Sequence, residues 1–387
     1  MKKNIYLDYH ATTPVDPLVL EKMIPYFTEN YGNAASQHPW GWVATDAVEK
    51  ARLQVATAIN AKEKEIIFTG GATEASNIAL FGLFEKNKEQ KNHIITTNIE
   101  HKSVLNVCKK LEKMGADLSI LPVDSTGRVN LETLKKTIHS KTLFVSILYA
   151  NNEIGAINPM KEIGAICKEH DVIFHTDAVQ AIGKLALDVD DLNIDMLSLT
   201  AHKFYGPKGT GALYIRTKSP KIKIDPLIVG GGHEQGKRSG TLNVPGIVGL
   251  GESIELATKD ILETQRKLSK LRDDIERMVL DTCSDLGIET VLNGPANEYK
   301  LANNLSFSFQ SIDPARLHQG LRRVAFSTGS ACTTASASPS HVLEGIGLAT
   351  ELARNTIRLS VGRFTDESEI EEFKKILPEA LKLAKIN

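Results

Sequence analysis

VIFHTDAVQAIGKLALDVDDLNIDMLSLTAHK, from Val172 to Lys203, holds two strand-sized apolar runs, each ending in a residue with chemistry to offer. The first, Val172–His175, delivers Asp177; the second, Met196–Leu199, leads through Thr200, Ala201 and His202 to Lys203. Runs of the same kind lie on either side: Ile66–Phe68, His93–Thr96, Leu118–Leu121, Leu143–Tyr149 and Gly211–Ile215. Amphipathic stretches, Leu131–Ile138 and Ile163–His170, fall between some of them. This alternation predicts an α/β fold with a parallel or mixed sheet covered by helices on both faces. Ligands of such sheets gather at the carboxyl ends of the strands, where Asp177 and Lys203 fall.

After Pro245 the texture changes. A helical pattern from about Glu252 to Cys283, rich in alternating charge, reads as one long connecting helix. Strands at Asn304–Phe309 and Thr356–Ser360 and helices at Ala315–Arg322 and Ser368–Ala384 then predict a smaller α+β unit. Asp366 and Glu369 have capping-box spacing, and Pro378 should kink the last helix or reset its start.

Composition excludes several classes of function. The 387 residues carry 46 Lys plus Arg against 47 Asp plus Glu, a net charge of −1, which argues against stable direct binding of nucleic acid or acidic membrane. Hydrophobic residues at 42% and charged residues at 24% exclude a largely disordered chain. At roughly 150 residues per domain the length suggests two domains. The N-terminus MKKNIYLDYHATTP lacks the apolar core of a signal peptide, and the longest apolar runs are far too short to span a bilayer. The four cysteines, Cys108, Cys167, Cys283 and Cys332, form no C-x-x-C pair, so neither a disulfide framework nor a metal site is signalled, and the expected location is the cytoplasm.

A lysine on a loop is ordinarily solvated, and an aspartate after a strand is ordinarily a turn former. Together at strand ends they suit a carbonyl cofactor: the amine can form a Schiff base, and the carboxylate can keep a pyridine nitrogen protonated. An anion site is also readable in Ile66-Ile67-Phe68-Thr69-Gly70-Gly71-Ala72-Thr73-Glu74, a strand, glycine turn and helix start whose backbone N–H groups and Thr73 hydroxyl can face a phosphate. It is no Walker A motif, since G-K-[ST] is missing, and the lack of G-x-G-x-x-G argues against a dinucleotide fold; the alternative there is a plain capped helix. His101 in Glu100-His101-Lys102-Ser103 follows a strand and can stack on a planar ring or move protons, although most loop histidines do neither. Gly230-Gly231-Gly232-His233 reads as a flexible turn, and the basic cluster Arg216, Lys218, Lys221, Lys223 as a solvated surface. Cys108, Cys167 and Cys283 lie in helical patterns and read as small core residues. Cys332 sits in STGSACTTASASPS, Ser327 to Ser340, a run with no large apolar anchor, which predicts an exposed loop or a plain linker.

The motifs Leu7-Asp8-Tyr9-x-Ala11-Thr12-Thr13-Pro14, GGATEASN, NNEIG, HTDAVQ, AHKFYGPKG, GGGHEQGKRSGT, STGSACTTAS and IRLSVGRF occur in this order from about Tyr6 to about Phe364. The set resembles the NifS/IscS-like cysteine desulfurases, fold-type I enzymes dependent on pyridoxal 5'-phosphate. The resemblance implies a mainly parallel seven-stranded sheet in a large cofactor-binding domain, 15–258. A small domain, 1–14 with 259–387, would carry the catalytic cysteine loop at about 327–340. By the same resemblance Lys203 holds the cofactor covalently, Asp177 pairs with its ring nitrogen, His101 stacks over it, and Asn152 with Gln180 contacts its phenolic oxygen. Ala72, Thr73, Thr200 and His202 hold the phosphate, joined by Thr241 from a second subunit of a homodimer, while Arg358 and Asn33 bind the carboxylate of L-cysteine. Cys332 attacks the substrate sulfur, alanine leaves, and the persulfide on Cys332 passes to an acceptor protein for iron–sulfur cluster assembly or tRNA thiolation.

STGSACTT places the chain with the long-loop group of that family. Ala34 stands where proline is common, and the sequence ends at Lys385-Ile386-Asn387, where many housekeeping members carry a further segment used in docking. Two rival readings stay open: another fold-type I activity, such as a selenocysteine lyase or an aminotransferase, and a non-catalytic sulfur-assembly scaffold. Cys332 weighs against an aminotransferase, and the survival of Lys203, Asp177 and Cys332 together weighs against a scaffold.

Overall fold

The apolar runs form one seven-stranded sheet in the computed structural model, which describes residues 4–328 and 339–386. After β1 (Ile5–Tyr6), its strands are β2 (Ile66–Thr69), β3 (His93–Thr97), β4 (Asp117–Leu121), β5 (Thr142–Ser146), β6 (Ile173–Asp177), β7 (Met196–Thr200) and β8 (Gly211–Ile215). Their order is β2-β8-β7-β6-β5-β3-β4, with β8 antiparallel to both neighbours and the rest parallel. The expected mainly parallel α/β sheet is therefore present. β5 is shorter than the apolar run that announced it, although Ile147 N and Tyr149 N still donate to His175 O and Asp177 O of β6.

Successive residues of a strand point to opposite faces, and here both faces are dry. Ile66, Phe68, Val145, Leu197 and Tyr214 pack under the helices Pro39–Ala58 and Val244–Thr258. Ile67, Phe144, Met196 and Leu213 pack under Ala72–Asn87 and Lys102–Lys113. Cys108, Cys167 and Cys283 are unpaired and buried in helices, as expected.

A second sheet, antiparallel in the order β12-β10-β9, comprises β9 (Thr290–Leu292), β10 (Asn304–Phe309) and β12 (Thr356–Ser360), while β11 (Val324–Ala325) pairs with β1. Its core joins Leu305, Phe307 and Leu359 to Ile275 and Val279 of the helix Ile261–Asp285 and to Phe373 and Leu377 of Glu367–Ala384. Ile5 and Leu7, from the other end of the chain, belong to this core.

Two helix expectations need correction. The single helix from Glu252 to Cys283 is two, Val244–Thr258 and Ile261–Asp285, broken at Asp260, whose φ of −135° and ψ of 56° are not helical. The first begins earlier than expected because its glycines serve packing: a Cβ at Gly251 would lie 2.7 Å from Ala51 Cα, and one at Gly249 would lie 2.9 Å from the Pro207 ring. The last helix runs unbroken through Pro378, so the proline does not reset its start; the Asp366–Glu369 capping box forms as expected.

Candidate active site

The strands β2, β3, β5, β6 and β7 end around a cavity of about 770 Å³, ample for a small molecule. Each strand presents residues at or just past its carboxyl end: Gly70–Thr73 after β2, Glu100 and His101 after β3, Asn152 after β5, Asp177 closing β6, and Thr200, His202 and Lys203 at the end of β7 and in the turn beyond. Gln180, His10 and Arg358 also line the cavity.

The anion cradle arises from backbone geometry. Gly71, at φ 147°, caps the helix Ala72–Asn87 without a side-chain hydrogen bond, which leaves the first N–H groups for a ligand. Glu74 braces the turn, accepting from Gly70 N at 2.9 Å and from Arg238 Nε at 2.7 Å. Behind the turn, Gly211 has no room for a side chain, since a Cβ there would meet Gly71 Cα at 2.8 Å.

Lys203 ends the 3-10 turn Ala201–Lys203, and its Nζ donates to the carbonyls of His10 at 2.6 Å and Ala11 at 2.8 Å. The N-terminal segment is clamped to this turn, with Thr13 N and Oγ1 both donating to His202 O. His202 Nδ1 lies 3.1 Å from Thr12 Oγ1, and burial, with help from Lys203 and Lys208, pushes its pKa down to about 4, so the ring is neutral at pH 7. Thr200 Oγ1 donates to Thr210 O at 3.1 Å.

Asp177 is buried, and Val179 N donates to its Oδ1 at 3.0 Å. Burial raises its pKa, while His101 and Lys203 pull the other way, so this carboxylate gains from any cation brought to it. His101 caps Lys102–Lys113, its Nδ1 accepting from Ser103 N at 3.1 Å. Arg358, on β12, is 1% exposed; its Nη2 donates to Asp8 Oδ1 at 2.8 Å and Ser327 Oγ at 3.0 Å, and its Nη1 to Asn152 O at 2.9 Å.

The structure thus brings Ala72, Thr73, His101, Asn152, Asp177, Gln180, Thr200, His202, Lys203 and Arg358 to one cavity. Asn33 is not among its lining residues: it is exposed, with its Oδ1 accepting from Ala35 N. Thr241 is likewise exposed and outside the lining of its own chain's cavity. Cys332 lies outside the described residues.

Glu100 and His10 are among the lining residues that escaped sequence reasoning. Glu100 is fully buried; its Oε1 accepts from Thr97 Oγ1 at 2.8 Å and Leu148 N at 2.9 Å, its Oε2 has no partner among the described residues, and burial pushes its pKa up to about 8. His10, the unspecified position in the motif Leu7–Pro14, is 1% exposed with its Nδ1 2.8 Å from Gln180 Oε1. His93, Asp117 and His139 also come within metal-ligand reach of one another. They lie toward the opposite, amino-terminal ends of β3 and β4, and both nitrogens of His93 are already engaged by Thr142 and Ser119 hydroxyls.

The aminotransferase class-V family model matches residues 5–373. The cysteine desulfurase IscS of Clostridium botulinum is 48% identical over 385 residues, covering 99% of this chain and 95% of that one. Among solved structures, a NifS-like protein is 39% identical and superposes with a TM-score of 0.89 over 98% of this chain and 99% of its own. A structure of SspA in complex with cysteine is 38% identical, with a TM-score of 0.82 over 94% of this chain and all of that one (100%).

Proposed function

The chain belongs to the aminotransferase class-V family and, within it, to the cysteine desulfurases, and from that premise we propose how its residues take sulfur from L-cysteine. The cofactor is pyridoxal 5'-phosphate, and the cavity suits it. The uncapped helix start at Gly71–Thr73 offers donors to a phosphate, and buried Asp177 needs a cation such as a protonated ring nitrogen. When bound, this group supplies an electron sink that loosens bonds around the substrate Cα.

Each residue then has a task. Ala72, Thr73, Thr200 and neutral His202 would hold the phosphate, Asp177 the ring nitrogen, and Asn152 and Gln180 the phenolic oxygen, while His101 would stack on the ring. Lys203 would hold the cofactor through its amine, and the same amine would take the proton from the substrate Cα. Arg358, already oriented by Asp8, Ser327 and Asn152 O, receives the substrate carboxylate. The thiolate of Cys332 attacks the substrate sulfur: an S–S bond forms, the C–S bond breaks with its electron pair left on carbon, that carbon is protonated, and alanine leaves. A thiol of ordinary pKa, about 8.5, is only a few per cent ionised at pH 7, so proton transfer within the site favours the attack.

The observation that carries this reading is the convergence of Lys203, Asp177, the Gly71–Thr73 cradle and Arg358 on one cavity. The test is incubation of the purified protein with L-cysteine, measuring alanine and sulfide together. Cys332→Ser should keep cofactor and substrate binding and lose sulfur release; full turnover by that variant would sink the role of Cys332. Lys203→Ala should lose the visible absorbance of the holoenzyme, and a borohydride-reducible cofactor in that variant would mean that another lysine holds it.

The finer assignments belong to the same proposal. The units are a large domain of residues 15–258 and a small one of 1–14 with 259–387, the latter supported by the shared core of Ile5 and Leu7 with β10 and β12. The working form is a homodimer in which each chain lends Thr241 to its partner's phosphate site; exposed apolar side chains on successive helices support it. The sulfur goes to an acceptor protein serving iron–sulfur assembly or tRNA thiolation, without stable nucleic-acid binding. No described helix is long and apolar enough to cross a membrane, and the three buried, unpaired cysteines suit a cytoplasmic location.

A further inference from the structure

We propose that His10 and Lys184 are positioning residues that lock the amide of Gln180 as a hydrogen-bond donor into the cavity, toward the phenolic oxygen of the cofactor; this rests on the pyridoxal phosphate reading above. The two ends of a primary amide look alike, so its partners decide which way it points. Gln180 Nε2 lies 3.1 Å from His10 O, a carbonyl that can only accept. The other end, Oε1, therefore accepts, and it has two neighbours: His10 Nδ1 at 2.8 Å and Lys184 Nζ at 3.1 Å. Lys184 Nζ also donates to Gln180 O at 3.2 Å, gripping the residue at side chain and backbone.

The consequence for His10 is a fixed tautomer. Its proton sits on Nδ1, its Nε2 is bare and buried without a partner among the described residues, and burial, with Lys184 and Arg358 nearby, keeps the ring neutral. For Gln180, one Nε2 hydrogen is spent on His10 O and the second is left for a ligand. The carbonyl of His10 also accepts from Lys203 Nζ, so the amide and the cofactor lysine share one anchor.

A cation behind an amide oxygen polarises the amide and strengthens its N–H as a donor to an anionic oxygen. The titratable groups that sense the charge of Lys184 are Lys203 and the neutral rings of His10 and His202, and from the helix Ile261–Asp285 the Gln265 amide donates to Lys184 O at 2.6 Å. Burial and Lys203 push the Lys184 pKa down to about 7. An anion in the cavity favours the charged form of Lys184, and by reciprocity charged Lys184 favours the anion.

The experiment is a pH titration of the visible absorbance of the holoenzyme, compared among wild type, Lys184→Met, Lys184→Arg and Gln180→Ala. Loss of the cation should raise the midpoint in Lys184→Met by about half a pH unit or more, a threefold change in the proton equilibrium. Lys184→Arg should stay near wild type, and Gln180→Ala should shift at least as far as Lys184→Met. A midpoint unmoved in Lys184→Met while Gln180→Ala shifts would overturn the role of Lys184 and leave the cofactor contact of Gln180 standing. A midpoint unmoved in both would overturn that contact as well. Lys184→Gln, with thermal melting of every variant, keeps the comparison valid should the methionine variant fold poorly.

Discussion

Glu100 is a carboxyl that water does not reach, and its cost depends on pH. Its pKa is raised from 4.5 to about 8, chiefly by burial. Below about pH 4.5 it is protonated in the folded and unfolded chain alike, and its stabilising hydrogen bonds are intact. As pH climbs toward 8 the unfolded chain ionises first, so stability is lost at up to about 1.4 kcal/mol per unit and levels off once the folded carboxyl also ionises. Glu100→Gln should flatten that slope, because an amide can still accept from Leu148 N and Thr97 Oγ1. Urea unfolding at several pH values between about 5 and 8 measures it, and an unchanged slope would mean that Glu100 is ionised in the folded chain. Nothing in the sequence marks Glu100 or His10 as buried. Lys203, Asp177 and His101 were legible because each lies at or just past a strand's end, whereas the burial of Glu100 and His10 depends on segments that meet only in the folded chain. Gln180 is an intermediate case: its motif identified it, but the partners that orient it lie 170 residues away at His10 and four residues on at Lys184.

Strands were the legible elements, because a strand buried on both faces writes its apolar run locally; β8, β10 and β12 are buried along their whole length and begin and end where the sequence predicts. Helices with glycines were less so. VPGIVGLG reads as a loop by propensity, yet Gly249 and Gly251 are there to let the helix Val244–Thr258 lie close against its neighbours, and tertiary contact overrides the local preference. Gly211 is the comparable position beside the site. It opens β8 opposite Thr69 and Thr200, and a Cβ there would fall 2.4 Å from Leu199 O and 2.8 Å from Gly71 Cα, backbone atoms with no freedom to rotate away. Gly211→Ala should therefore displace the phosphate turn and destabilise the fold by roughly 1–3 kcal/mol. Equilibrium binding of pyridoxal phosphate should weaken about tenfold, while α-helical content by circular dichroism stays near wild type. Undiminished cofactor affinity would show that the turn tolerates the shift.

At the scale of the whole molecule the unexplained surface is apolar. Ile24, Phe27, Tyr31, Trp40 and Trp42 are between 52% and 68% exposed on consecutive segments from Pro17–Met23 to Pro39–Ala58. Leu227 and Val229, at 47% and 77%, stand on the loop that leads to Thr241. Single exposed hydrophobes need no explanation, but five bulky ones within 19 positions form a patch that the proposed second subunit would cover. The loop itself is fastened to its own chain: Arg52 forms a buried two-point pair with Glu234, at 2.9 and 2.8 Å, and Glu234 also accepts from Phe68 N at 2.7 Å. That anchor holds the loop at the edge of the large sheet, beside β2, with Thr241 exposed rather than turned into its own cavity. A second copy packed on the aromatic face would account for both features. The double variant Phe27→Glu with Trp42→Glu places two charges in that face and should convert a homodimer to monomer in analytical ultracentrifugation. If the partner's Thr241 completes the phosphate site, the monomer should also retain pyridoxal phosphate less well, and Thr241→Ala should reproduce that loss without changing the mass. A double variant that sediments as wild type would place the interface elsewhere; one that becomes monomeric with undiminished cofactor affinity would show each cavity to be complete within its own chain.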